Sequence, residues 1–174
     1  MTDAKDLVIR PARSSDVPLI HALICELADF EKLRDSVDAR EMDVAVALFG
    51  PAPRVFCDIA EWMGTPAGFS LWFYNYSTFR GRHGIYLEDL FVRPQYRGNG
   101  IGRELIVNLA HRCLDENLPR LQWQVLDWNK PSIEFYESLG AKVTPEWLGC
   151  RLEGDAIARV VAAKVNNAVN KTEA

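Results

Sequence analysis

Little in this chain of 174 residues supports disulfide or metal chemistry. It has four cysteines, Cys25, Cys57, Cys113 and Cys150, and no C-x-x-C pair. That pattern favours reduced, mostly buried thiols over a disulfide framework. The three histidines, His21, His83 and His111, lack metal-ligand spacing, so no metal is expected. No apolar run reaches the roughly 18 residues of a membrane helix. The start, Met1-Thr-Asp-Ala-Lys-Asp6, is charged where a signal peptide would be apolar. Basic charge is in short supply: Lys+Arg 20 against Asp+Glu 24 gives −4. That balance disfavours nucleic-acid binding and favours a cationic partner. A cytoplasmic protein that engages neither membrane nor nucleic acid is expected.

What the chain does have is a globular composition, 48% hydrophobic and 25% charged, with no internal repeat. One domain over residues 1–165 and a polar tail over 166–174 are expected. Leu7-Val8-Ile9 reads as a first strand. Ser14-Ser15-Asp16 then offers cap chemistry before Val17, Ile20, Leu23, Ile24 and Leu27, which recur at helical spacing. A second helix is expected over 38–48, stopped by Gly50-Pro51. Strands follow over 55–62, 67–76 and 84–92, then an amphipathic helix over 99–116. A strand at 121–126, a helix at 131–139 bounded by Pro131 and Gly140, and closing strands at 150–152 and 157–162 complete the pattern. The class is α/β: a mixed sheet of about six to seven strands flanked by helices on both faces.

The informative stretch runs from Tyr86-Leu-Glu-Asp-Leu-Phe-Val92 into Arg97-Gly-Asn-Gly-Ile-Gly102. Gly98, Gly100 and Gly102 sit where a strand gives way to a helix. Glycines there let the backbone turn tightly, and the helix start offers unpaired N–H groups and a positive dipole end to a diphosphate. Arg93, Arg97 and Arg103 add cationic charge. The spacing is neither G-x-G-x-x-G nor G-x-x-x-x-G-K-[ST], so the dinucleotide and ATP fingerprints fail. Two readings stand: an anion cradle, or glycines that merely let strand and helix pack.

Arg97-Gly-Asn-Gly-Ile-Gly102 resembles the R/Q-x-x-G-x-G/A signature of the GNAT N-acetyltransferase superfamily. Trp128-Asn-Lys-Pro-Ser-Ile-Glu-Phe-Tyr-Glu-Ser-Leu-Gly-Ala141 resembles its second motif. Over nearly the whole chain, Val8-Ile-Arg-Pro-Ala12, Glu26-Leu-Ala-x-Phe-Glu31, Tyr86-Leu-Glu-Asp-x-Phe-Val92 and Trp128-Asn-x-Pro-Ser-Ile-x-Phe-Tyr136 resemble the diamine (spermidine/spermine) N-acetyltransferase family. The resemblance implies the GNAT fold, a homodimer, and acetyl-CoA as cosubstrate for acetylating a small amine. It places the cosubstrate on Leu90, Phe91, Val92, Arg97, Gly98, Asn99, Gly100, Ile101, Gly102, Arg103, Asn129, Lys130, Pro131, Ser132 and Tyr136. It places the amine against Phe30, Glu31, Glu88, Gln122, Trp123 and Gln124.

Acetyl transfer needs a deprotonated amine, a polarised thioester carbonyl and a proton for the leaving thiolate. Tyr136, a phenol of ordinary pKa near 10, matches the family residue that contacts the sulfur; its other reading is core packing beside Phe135. Glu88 lies between apolar neighbours in a strand, which demands a purpose or a partner. By resemblance it contacts the amine as base or anchor; the alternative is an ion pair with an arginine. Adjacent strand residues face opposite ways, so Glu88 and Asp89 share a pocket only if a bulge intervenes.

Between Glu26 and Asp43 stand seven acids and three bases. Such a lip draws in cations, or else is an ordinary solvated face. One departure bears on substrate: Leu148 stands where polyamine-preferring members carry an acidic residue, with Glu146 nearby. A long polyamine loses more from that than a short diamine or an amino acid. Acetylation of a protein N-terminus or lysine, and a CoA-binding regulatory module without catalysis, are the competing functions.

Overall fold

A computed structural model describes residues 6–162. The polar tail expected at 166–174 lies outside the described residues, as do 163–165 of the expected domain. The chain divides into two compact units, Met1–Asn129 and Lys130–Ala174.

The first unit is built on a five-stranded sheet in the order β1-β2-β3-β4-β5. The strands are β1 Leu7–Pro11, β2 Phe56–Trp62, β3 Thr65–Ser77, β4 Arg82–Val92 and β5 Leu121–Gln122. The first four pair antiparallel and β5 joins β4 in parallel. Helices α1 Val17–Glu31 and α2 Glu41–Phe49 precede β2, and α3 Ile101–Asp115 connects β4 to β5. That crossover supplies the chain length a parallel pair requires. Asp43 begins α2 by accepting the Arg40 backbone N–H at 3.0 Å, satisfying one of the orphan donors of a helix start.

Both faces of the sheet are covered, as the sequence pattern predicts. Val17, Ile20, Leu23 and Leu27 of α1 and Val44 and Leu48 of α2 pack on Cys57, Ile59, Phe69 and Phe91. Ile101 and Leu105 of α3 pack on the other side, against Ala60 and Ala67, with Leu90 and Val92 partly buried beside them. Phe91 and its neighbours Leu90 and Val92 thus face opposite layers, the period-two rule of a strand. Each fully buried aliphatic side chain, such as Leu105, contributes about 1.5–3 kcal/mol.

In the second unit, α4 spans Lys130–Ser138. Gly140, at φ 87°, ends it in a left-handed turn in which Ala141 N–H reaches the Tyr136 carbonyl at 3.1 Å.

Three expectations are corrected. The sheet has five strands among the described residues, fewer than the six to seven expected. The strand expected at 121–126 pairs only at Leu121 and Gln122. The closing strands are not there: 150–152 carries no regular structure, and 155–162 is helical. A short apolar run does not by itself distinguish strand from helix. This one follows a turn at Gly154, φ 50°, and carries three alanines, the residue most favourable to helix.

Candidate active site

The site is set by where β4 loses its partner. β5 pairs with β4 only through Ile85↔Leu121 and Tyr86↔Gln122. The two strands come this close because position 84 is glycine: a Cβ there would stand 2.7 Å from the Arg120 carbonyl oxygen. From Leu87 to Val92, β4 continues beside β3 with its other edge outside that ladder. Unpaired backbone N–H and C=O groups on such an edge can receive an extended, amide-bearing ligand.

A bulge lies where that edge begins. Leu71 pairs with Asp89 and Trp72 with Leu87, so Glu88 is an extra residue in β4. An extra residue breaks the strict alternation of faces and re-aims side chains. Asp89 lies opposite Leu71, on the α1/α2 side of the sheet. Its carboxyl is pushed up to about 7, first by burial, then by the charges of Glu88 and Glu31. Burial likewise raises the Glu31 carboxyl above the usual range. Three carboxyl groups, Glu31, Glu88 and Asp89, therefore share one neighbourhood at the end of α1, with Phe30 beside them.

Downstream, the chain leaves β4, passes a short turn at Pro94–Tyr96 and enters the glycine loop. Asn99 Nδ2 pins that turn by donating to the Tyr96 carbonyl at 3.0 Å. Gly98 and Gly100 have φ of 82° and 78°, backbone angles that L side chains rarely adopt. A Cβ at either would meet nothing within 4 Å, so glycine is needed here for its dihedral angle, and the space above the loop is open. Gly100 caps α3 with no side-chain hydrogen bond. The first N–H groups of α3 are thus left to an external acceptor, and Arg103 stands exposed on that first turn. Open space, free helix N–H groups and an arginine fit the diphosphate of CoA.

The three arginines expected to surround the loop have different fates. Arg93 is taken by Glu26: Nη2 donates to Oε1 at 2.8 Å and Nε to Oε2 at 2.9 Å, while Nη1 donates to the Pro66 carbonyl. This pair ties the end of β4 to α1. Arg97 turns inward, Nε donating to the Val92 carbonyl at 2.9 Å and its guanidinium lying 4.7 Å from the Phe30 ring centroid. Among the described residues, Arg103, exposed beside the helix start, has neither a salt bridge nor a ring contact of the kind that holds Arg93 and Arg97.

Gln122 Oε1 accepts from Asn75 Nδ2 at 3.4 Å, so its amide is engaged toward β3. Trp123 is half-buried and Gln124 exposed. Asn129, half-buried, donates its backbone N–H to the Leu126 carbonyl. In the second unit Ser132 and Tyr136 lie one turn apart on α4, both half-buried, with Lys130 and Pro131 exposed at its start. The Tyr136 ring is 5.2 Å from that of Phe135.

The sequence reading assigns no role to two residues near this site. The resemblance points to Glu88 rather than Asp89, and the bulge between them and Leu71/Trp72 leaves no mark in composition or periodicity. Trp128, 6.1 Å from Phe30 between ring centroids, packs beside it; its place at the head of the Trp128–Ala141 motif is the signal the sequence offers.

A cavity of about 210 Å³ lies elsewhere, against β2 and β3. Its buried Asp58 accepts the Trp72 indole N–H at 2.9 Å, and Arg112 stacks on Trp72 at 4.8 Å. Arg112 also reaches Glu116 through Nη1 at 3.4 Å, while its buried Nε has no hydrogen-bond partner. Among the described residues no cluster of three or more His, Cys, Asp or Glu could hold a metal, and no helix is long and apolar enough to cross a membrane.

Comparison with known proteins agrees with this geometry. The chain is 40% identical over 169 residues to a thialysine N-epsilon-acetyltransferase of Bos taurus, covering 91% of this chain and 98% of that one. It is 34% identical to an L-ornithine N5-acetyltransferase of Arabidopsis thaliana, covering 86% and 85%. An integron cassette protein of V. cholerae superposes with a TM-score of 0.74 at 26% identity, covering 90% of this chain and 98% of that one. The model of the acetyltransferase (GNAT) family matches residues 20–141, and the chain belongs to that family.

Proposed function

We propose that this N-acetyltransferase moves the acetyl group of acetyl-CoA to a primary amine of a short diamine or a thialysine-like amino acid. The observation that carries this reading is the group of three carboxyls, Glu31, Glu88 and Asp89, at the point where β4 opens, immediately before the glycine loop. Such a group attracts an ammonium and can take its proton. The names of the relatives, which act on thialysine and ornithine, support an amino acid carrying a side-chain amine. Leu148, where a polyamine enzyme has an acid, supports a short substrate over a long one.

In this reading, acetyl-CoA supplies an acetyl group already activated as a thioester. The N–H groups of the glycine loop and the start of α3 hold its diphosphate. Backbone groups of Leu90, Phe91 and Val92 orient the acyl arm along the open edge of β4. Asp89, poised near neutrality, takes a proton from the ammonium far more readily than an ordinary aspartate of pKa about 3.9. Glu88 shares that neighbourhood as anchor or relay. The neutral amine attacks the carbonyl carbon, an N–C bond forms as the C–S bond breaks, Tyr136 gives the departing sulfur its proton, and the surplus proton on the acylated nitrogen passes through solvent to restore the Tyr136 phenol.

The family model spans the boundary between the two compact units, which supports reading both as one acetyltransferase domain. The resemblance to diamine N-acetyltransferases supports a homodimer. Free cysteines, three of them buried, support a cytoplasmic location.

The test is CoA release from acetyl-CoA across spermine, spermidine, putrescine, 1,3-diaminopropane, ornithine, thialysine, lysine and a peptide panel. Fastest turnover of thialysine, ornithine or a short diamine is expected. Turnover confined to peptides overturns the small-amine reading.

A further inference from the structure

Phe30 is the penultimate residue of α1 and carries a cation on its ring. The Arg97 guanidinium lies 4.7 Å from the Phe30 centroid and 5.7 Å from that of Phe91. Its Nε is held by the Val92 carbonyl at 2.9 Å, and desolvation lowers its pKa. Trp128 packs on Phe30 from another side. Glu31 is next in sequence, and Asp89 feels its charge. An aromatic face flanked by carboxylates is a receptor for an organic ammonium. In the free protein that receptor is filled by the protein's own arginine.

Arg97 is also the first residue of the glycine loop. A diphosphate on the α3 N-terminus offers its guanidinium charge-assisted, bidentate hydrogen bonds, which are stronger than attraction to a ring quadrupole at a partly exposed site. To exchange one partner for the other, Arg97 gives up the Phe30 ring and its hydrogen bond to the Val92 carbonyl. Arg93 cannot substitute, because Glu26 holds it.

We propose that Arg97 occupies, in the free protein, the place on Phe30 that the substrate ammonium takes, and that the CoA diphosphate withdraws it, so that cosubstrate binding opens the amine site. The inference rests on the acetyl-CoA and small-amine reading above. It adds a shared residue through which the two sites are coupled, and coupling of this kind is reciprocal.

Calorimetric titration of 1,3-diaminopropane and of thialysine into the free protein and into protein saturated with CoA tests it; CoA carries the diphosphate and permits no turnover. The amine is expected to bind about 3- to 30-fold more tightly with CoA present, the range a single cation–ring contact spans, and CoA to gain the same factor from the amine. In Arg97→Met the free protein is expected to bind the amine as tightly as CoA-saturated wild type does, the factor falling to about one, while CoA itself binds more weakly. Phe30→Leu, checked for folding by intact CoA binding, is expected to lose amine affinity and coupling together. Equal amine affinity in both wild-type states, or an unchanged factor in Arg97→Met, overturns the coupling and leaves the small-amine reading standing. No amine binding even with CoA present overturns both.

Discussion

Arg93 and Glu26, 67 residues apart in sequence, face each other fork to fork, with Arg93 Nη2 2.8 Å from Glu26 Oε1. The contact fastens α1, which carries Phe30 and Glu31, to the end of β4, which carries Glu88 and Asp89. Each partner remains partly exposed, and the pair is worth more as a geometric link than as a source of stability. Arg93→Met is expected to cost no more than about 1 kcal/mol in denaturant unfolding and to raise KM for the amine more than KM for acetyl-CoA. An equal rise in both sinks the positioning role.

As the proposed base, Asp89 is expected to make activity toward the amine pH-dependent. With its carboxyl pushed up to about 7, it is protonated, and useless as a base, below that pH. kcat/KM for the amine is expected to rise from pH 6 to pH 8, and Asp89→Asn to lower activity at pH 8 and flatten that limb. A pH profile on both proteins decides it.

The same residue has an opposite effect on stability. A carboxyl raised above its unfolded value binds its proton more tightly in the folded state, so its contribution is present at low pH and lost as pH rises from about 4 through 7. Asp89→Asn is therefore expected to be more stable than wild type at pH 8, by up to about 4 kcal/mol, and little different at pH 4. Denaturant midpoints at the two pH values measure it; a variant less stable at pH 8 contradicts the desolvation account.

At the loop, Gly98→Ala and Gly100→Ala place a side chain on backbone angles of 82° and 78°. The expected loss is about 1–2 kcal/mol of stability each, from backbone strain alone, because the space around both is open. CoA affinity is expected to fall in both, since the N–H groups are re-aimed. Calorimetry with CoA, beside thermal unfolding, separates the two effects.

Tyr136→Phe removes one oxygen. As proton donor to the sulfur, Tyr136 predicts a fall in kcat of about 100-fold with KM for acetyl-CoA little changed. A core-packing role predicts normal kcat and a lower melting temperature.

Much of this was legible in the sequence because it depends on local rules. Periodicity located α1, α3 and the first four strands, and Pro131 and Gly140 marked the ends of α4. The alternate glycines after Val92 marked the turn into α3, because positive φ is a backbone demand that few other residues meet. The resemblance of Arg97–Gly102 and Trp128–Ala141 to GNAT motifs pointed to the family that the comparisons establish. What failed locally was the closing region: a short apolar run at 157–162 obeys either period, and the helix prevailed.

The roles of individual charges were decided only by the tertiary structure. Arg93 and Arg97 are four residues apart and chemically identical, yet one is neutralised by Glu26 and the other lies on Phe30. Glu88 and Asp89 are adjacent, yet at the bulge opposite Leu71 and Trp72 Glu88 is exposed while Asp89 is half-buried, its carboxyl raised first by burial. The sequence by itself determined the elements, the loop and the family, because turn angles and hydrophobic periods act between near neighbours. That the Asp89 carboxyl is raised, and that Arg93 is ion-paired while Arg97 lies on a ring, depended on burial and on partners far along the chain, and only the folded sheet brings those together.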